Sequence, residues 1–368
     1  MTIQTRRQKM PVNISTMQSC RARPGLYLLI GLLVGLVLVL PPAVRAKQKA
    51  ADLVTDGQPI DLNQAIYQKL FGELEKEYRF TRAELEEIFS GQTISRRVLE
   101  LMDKQWEARP YYRYAPLFLT PGKISKGREK LRQYRELLDR IEERFGVDRE
   151  IVIAIWGIET RYGEYQGAFN VLRTLNTLFA AYPRRSAFFR KQLVHFLLLC
   201  RENGVDPRTV KGSYAGAFGQ TQFIPSSYRA YAVSFDGDTR SDVWESVPDV
   251  LASIANYLKS FGWKLDAPIY AELGPELKSQ KLLSAYLKGR RAKLPLKEVE
   301  KLQQLELPPC PGPCKVTIVG LELDPESRHA MRYIAGYPNF QAITAWNHSN
   351  RYAMAVTELA EALGEQDR

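Results

Sequence analysis

Histidine is nearly missing from this chain: its 368 residues contain three, His195, His329 and His348. They lie far apart and show no metal-ligand spacing. Cysteine is almost as scarce, at four. Cys200 sits in the apolar run HFLLLC and reads as a buried free thiol. Cys310 and Cys314 frame CPGPC, a Pro/Gly turn that suits either a small disulfide or two free thiols. No second Cys or His pair accompanies them to complete a zinc site. The chain also lacks an internal repeat, a low-complexity tract and a Gly-Lys-Ser/Thr phosphate loop. Positive charge looks abundant, at +11, but residues 1–46 hold six bases and no acid. The remainder has 46 bases against 41 acids and no basic stripe. Nucleic acid is therefore not an implied partner, although a mildly basic surface favours an anionic polymer.

What is present begins with an address. A basic stretch leads into the 16-residue apolar run Gly25–Leu40, followed by Pro41-Pro42 and Val44-Arg45-Ala46. That is the layout of a secretory signal, with an uncleaved membrane anchor as the alternative. The run is short against the roughly 20 residues that span a bilayer.

The segment around which the rest is organised is Ile151–Gly163, IVIAIWGIETRYG. A run apolar on every side belongs inside a core. Glu150 at its start and Gly163 past its end make it a buried helix with a left-handed cap. Glu159 falls in its last turn. A carboxyl group in apolar surroundings keeps its proton to higher pH, which a general acid requires. The plainer reading pairs Glu159 with Arg161 or another arginine. Helical periodicity recurs over Arg128–Phe145, Val171–Ala181, Ala187–Glu202, Pro248–Phe261 and Ser349–Leu363, with Thr81 and Glu84 as a capping box. Tyr111–Gly122 reads as an aromatic connector and Lys315–Leu321 as a strand. The fold class is mainly α with a small late β-containing insertion.

A second signal is Lys211–Tyr228, KGSYAGAFGQTQFIPSSY. Its glycines allow close backbone approach, and Ser213, Gln220, Gln222, Ser226 and Ser227 offer hydrogen bonds suited to hydroxyl and acetamido groups. Phe218, Phe223 and Tyr228 provide flat faces for sugar rings. A packed helix–turn–helix would explain the same stretch.

The segments IWGIETRYG, YPRRSAFF, KGSYAGAFGQTQFIPSSY, SIANYLKSFGW and ITAWNHSNRYAMAVTELA, in this order, resemble the B-type lytic murein transglycosylases over roughly Leu117–Leu363. That resemblance implies a lysozyme-like helical core with a flanking helical domain. It implies the domain limits 1–46 (signal), 47–127 (helical segment), 128–264 (catalytic core), 265–335 (small α/β insertion) and 336–368 (completing the groove). It further implies cleavage of peptidoglycan between N-acetylmuramic acid and N-acetylglucosamine, leaving a 1,6-anhydromuramic end. The single catalytic carboxylate matches Glu159, acid first and then base. Ser213, Gln222, Tyr257, Trp346, Asn347 and Tyr352 match substrate-binding positions. The chain departs from the family in having Ala345-Trp346-Asn347 for Arg-Tyr-Asn and Phe188 where Tyr can occur, so hydroxyl contacts are expected to be lost there. Ser234–Asp249 resembles an EF-hand-like loop in which Asp236, Asp238 and Asp249 would hold a structural calcium or sodium ion, with Ser234 standing at the first ligand position. No cofactor is required. Glycan strands are the implied partner in the periplasm, and other cell-wall enzymes are further candidates. A hydrolytic muramidase and a non-catalytic peptidoglycan-binding protein are the competing functions.

Overall fold

In the computed structural model the described residues are 49–104 and 109–364; the proposed signal, residues 1–46, lies outside them. The described residues form one compact unit. Its first helices are α1 (Ala65–Tyr78), α2 (Arg82–Phe89), α3 (Arg96–Asp103), α4 (Tyr111–Tyr114), α5 (Pro121–Gln133), α6 (Arg135–Phe145) and α7 (Arg149–Thr160). Then come β1 (Phe169–Asn170), α8 (Val171–Ala181), α9 (Ser186–Asn203), β2 (Lys211–Gly212), α10 (Pro225–Tyr231) and α11 (Val247–Ser260). The small sheet region holds β3 (Tyr270–Gly274), α12 (Gln280–Lys288), β4 (Lys293–Pro295), α13 (Leu296–Gln303), β5 (Lys315–Glu322) and β6 (Met331–Gly336). Helices α14 (Pro338–Trp346) and α15 (Asn350–Gly364) close the chain. No described helix is long and apolar enough to cross a membrane.

Helix α7 is surrounded by α5, α6, α11 and α15, and Ile151 through Trp156 are all buried. This packing explains a segment apolar on every face: there is no solvent side to make polar. Burial of each large side chain contributes roughly 1.5–3 kcal/mol, so the helix is held from all sides along its length. The capping box at α2 is present, with the Thr81 hydroxyl accepting from the Glu84 amide and Glu84 accepting from Thr81.

Three local expectations need correction. The periodicity over Arg128–Phe145 is split at Tyr134, whose ψ of 23° leaves the helical range as α5 gives way to α6. Its ring turns edge-on to Trp156, 6.0 Å away. The connector Tyr111–Gly122 is largely helical, and its Pro-Gly pair opens α5, because proline at N1 has no amide to leave unpaired. The cap of α7 is Arg161 (φ 56°), followed by Tyr162 (φ 64°) and only then Gly163 (φ 87°). The Arg161 and Tyr162 amides reach the Gly157 and Trp156 carbonyls at 3.0 and 3.4 Å, and the first of these makes a left-handed (αL) cap without glycine. Gly163 is needed for another reason: a Cβ there would lie 2.4 Å from Gln220 Oε1.

Beyond α11 the strands order β3-β6-β5-β4, all antiparallel. Only β5 is readable as a strand from its apolar run; its partner β6 carries mixed polarity. Pro295 stands on the edge strand β4, where a missing amide costs no ladder bond. One side of the sheet builds its own apolar cluster with Leu282, Leu296 and Val299, separate from the helical core. Cys310 and Cys314 are joined by a disulfide beside this cluster, and Cys200 is a buried free thiol. Asn350–Gly364 buries Tyr352, Ala355, Val356 and Leu359 as their spacing indicated.

Candidate active site

A groove of about 730 Å³ runs past the C-terminal end of α7. Glu159 lines it together with Ser213, Gln222, Phe223, Tyr257, Trp346 and Asn347. Among its described lining residues Glu159 is the only carboxylate.

Glu159 is partly buried and has no arginine partner among the described residues, so the ion-pair reading is not met there. Its Oε1 accepts two hydrogen bonds instead: from the Tyr352 hydroxyl at 2.6 Å and from Trp346 Nε1–H at 2.9 Å. Desolvation pushes its pKa up to about 7, and the two bonds, which favour the charged form, hold it from going higher. Burial drives the Tyr352 hydroxyl far above its ordinary value, so it remains a donor throughout the neutral range. With Oε1 occupied by two donors, the carboxylic proton belongs on Oε2.

The end of α7 is aimed by hydrogen bonds behind the groove. Trp156 Nε1–H donates to Gln220 Oε1 at 2.9 Å, and Gln220 Nε2 donates to the Trp244 carbonyl at 2.8 Å. The Thr160 hydroxyl accepts from the Gly163 amide at 3.0 Å. Gln220, read from sequence as a ligand contact, is thus a buried brace.

The other sequence candidates divide in the same way. Ser213 lines the groove, its Oγ accepting from the Ala217 amide at 3.1 Å. Gln222 sits at φ 49° and spends its amide N–H groups on the carbonyls of Gly219 and Gln166, at 2.9 and 3.0 Å. Tyr257 lines the groove with its ring, but its hydroxyl donates to the Ala345 carbonyl at 2.7 Å and so holds the end of α14. Trp346, matched from sequence to a substrate-binding position, packs 4.9 Å from Phe223 and donates to the acid. Its indole N–H is engaged with Glu159. Asn347 lies on the groove wall. Phe218 and Tyr228 are core residues, Phe218 stacking on Trp244 at 5.3 Å; of that aromatic trio only Phe223 reaches the groove.

Sequence reading did not flag Met102 or Arg185, which also line the groove; the Arg185 guanidinium lies 4.2 Å over Phe188. Arg184-Arg185 was visible as a polar break between helices, with no periodic signal of where it points.

The acidic loop brings Asp236, Asp238 and Asp249 together, one carboxylate oxygen of each within 4.8 Å of the others. The loop also satisfies itself. Asp249, fully buried at the start of α11, accepts from the Phe235 and Asp242 amides at 2.6 and 2.8 Å. Asp236 accepts from the Ser246 hydroxyl, and Asp238 from the Arg240 amide. Ser234, in the place of the expected first acid, donates to the Asp238 carbonyl.

An open groove in a helical body, lined by aromatics and supplied with one protonatable carboxylate, defines a glycan-cleaving enzyme with a lysozyme-like core. A transglycosylase SLT domain matches residues 63–361. The chain belongs to this family, whose members are lytic murein transglycosylases, lyases that cleave peptidoglycan. It is 34% identical over 309 residues to membrane-bound lytic murein transglycosylase B of Escherichia coli K12, covering 80% of this chain and 82% of that protein. The structure of Escherichia coli lytic transglycosylase Slt35 in complex with calcium matches with TM-score 0.73 at 33% identity, over 86% of this chain and 97% of that one. SltB3 from Pseudomonas aeruginosa, in complex with NAG-NAM-pentapeptide, matches with TM-score 0.68 at 32% identity, over 83% and 79%.

Proposed function

We propose that this enzyme cleaves the β-1,4 bond between N-acetylmuramic acid and N-acetylglucosamine and closes the muramic residue into its 1,6-anhydro form. Glu159 Oε2 gives its proton to the glycosidic oxygen as the C1–O bond breaks. The resulting carboxylate then takes the proton of the C6 hydroxyl as O6 bonds to C1. Atoms balance without water, and the acid is regenerated for the next turnover. The observation that carries this reading is Glu159 as the one carboxylate among the described groove-lining residues, with its pKa raised to about 7 and Oε1 bonded by Tyr352 and Trp346. A group poised near neutrality is efficient in both directions of proton transfer. An intramolecular nucleophile removes the need for a second carboxylate to activate water.

Ser213, Gln222 and Asn347 would meet the polar edges of the sugars, and Phe223 and Tyr257 their faces. The protein would work in the periplasm, delivered by residues 1–46. The acidic loop fits a hard cation through Asp236, Asp238 and Asp249, all oxygen donors; such an ion would stiffen the loop and the start of α11.

The test is mass spectrometry of muropeptides released from purified sacculi. Anhydro products, lighter by one water than hydrolytic ones, are expected from the wild type, and none from Glu159→Gln. Products carrying added water would mean a muramidase. Turnover by Glu159→Gln near the wild-type rate would sink the assignment of Glu159.

A further inference from the structure

Sugar stacking does not use the charge on the groove's rim. Within the described lining there is one acid, Glu159, and one permanent cation, Arg185. Beside His348, also on the lining, the small sheet region brings up a second group of cations. From Leu282 to Lys297 the chain reads LLSAYLKGRRAKLPLK, with five bases and no acid. Lys288, Arg290, Arg291 and Lys293 are all exposed. Lys281 and Lys297, which flank them, are paired with Glu298 and Glu300. Lys288, Arg291 and Lys293 form no ion pair among the described residues.

Their position is fixed through Arg290. Its Nη1 lies 3.4 Å from the Thr344 carbonyl oxygen and 3.2 Å from His348 Nδ1. It thus sits at the C-terminal turn of α14, where the helix dipole favours a cation. That helix ends in Trp346, the partner of Glu159. A single guanidinium therefore ties the cationic turn to the wall carrying the acid's own hydrogen-bond donor. The other three cations make no side-chain hydrogen bond or ion pair among the described residues, and clustering them costs self-repulsion.

We propose that the turn Lys288–Lys293 is a subsite for the carboxylates of the peptides borne by the glycan strand. The proposal rests on the murein reading above. On a peptide-bearing strand the sugars are uncharged, because the lactyl carboxyl of each muramic residue is spent in the amide to its peptide, so a groove built for them alone needs no cations at its edge. The attached peptides end in carboxylates and contain acidic residues, which arginine forks accept in bidentate fashion and lysine accepts as a point charge. A cationic turn next to the groove would select strands that still carry their peptides over strands already stripped of them.

The test combines Lys288→Ala, Arg291→Ala and Lys293→Ala, leaving Arg290 in its structural place. In a Glu159→Gln background, binding to purified sacculi is compared with binding to stripped sacculi, whose peptides an amidase has removed and whose freed lactyl carboxylates have been capped as amides. We expect the triple variant to bind intact sacculi about fivefold more weakly at low salt, to bind stripped sacculi unchanged, and to lose this difference at about 0.5 M salt as exposed charges are screened. In the active enzyme the loss should enter through KM with kcat preserved. Equal binding of both materials by variant and parent, or equal weakening on both, would overturn the proposal. So would a loss confined to anionic phospholipid vesicles, which would make the turn a membrane-facing patch. Failure of the murein reading would show separately, as absence of cleavage of either material by the unsubstituted enzyme. All three side chains are exposed, so an unchanged melting temperature should accompany the effect.

Discussion

At the scale of single residues, the protonation of Glu159 is set by three contributions of known sign. Burial raises its pKa; Tyr352 and Trp346, both donating to Oε1, lower it. Activity should therefore fall as pH rises through about 7, where the acid loses its proton. Tyr352→Phe removes one bond to the charged form and should move that limb upward by about one unit, since a bond to a charged group contributes roughly 1.5–3 kcal/mol in all. The rate at the optimum should drop as well, because the proton is less fixed on Oε2. A pH–rate profile checks both. A limb that stays in place while the rate falls would mean that Tyr352 acts on the substrate and not on the acid.

At the scale of elements, α7 carries an oddity that the structure explains. Gly157 lies inside a buried helix, where glycine costs about 1 kcal/mol relative to alanine. A Cβ at that position would lie 2.6 Å from the Tyr162 ring. Tyr162 is held there by its hydroxyl, which donates to the Lys123 carbonyl at 2.8 Å, and by an edge contact 5.7 Å from Trp156. Gly157→Ala should therefore destabilise, by about 1–3 kcal/mol as overpacking commonly does, in spite of its better helix propensity. Chemical denaturation measures this, and a stabilised variant would contradict the packing. The loop before α11 behaves differently. Because Asp249 is already satisfied by backbone amides and Ser234 replaces an acid, calcium should raise the melting temperature only slightly and chelation should leave activity intact. Thermal melts with calcium and with EDTA test this.

For the whole molecule, the acid proposed to perform the chemistry lowers stability when it ionises. Its folded pKa of about 7 exceeds the ordinary 4.5, so the folded state holds a proton that the unfolded chain releases between those values. Stability from this group is present below about pH 4.5 and lost as pH rises to about 7, then level above. Glu159→Gln mimics the neutral acid and escapes the loss. It should be the more stable protein at pH 8, by about 2–3 kcal/mol, with the gap closing near pH 4.5. Denaturant unfolding at the two pH values measures the gap; the same difference at both would rule out this origin.

Much of this protein is determined by its sequence alone. The apolar run Ile151–Ile158 points to a buried element, and the acid at its end to one costly to ionise, because apolarity and periodicity are local properties of the chain. The helices Val171–Ala181 and Asn350–Gly364 were legible for the same reason. Strand β6 was not, since its pattern makes sense only against β5. The break at Tyr134 was hidden because it leaves the apolar spacing nearly unchanged. The roles of the site residues were least legible. Gln220 and Tyr257 have the chemistry of ligand contacts and are spent on the protein's own backbone and side chains, while Trp346 and Tyr352, 187 and 193 residues from Glu159 in sequence, converge on one carboxylate oxygen. Sequence determines which groups are available for hydrogen bonding. Only the tertiary structure decides which are consumed internally and which face the groove, because that depends on contacts between residues the chain keeps far apart.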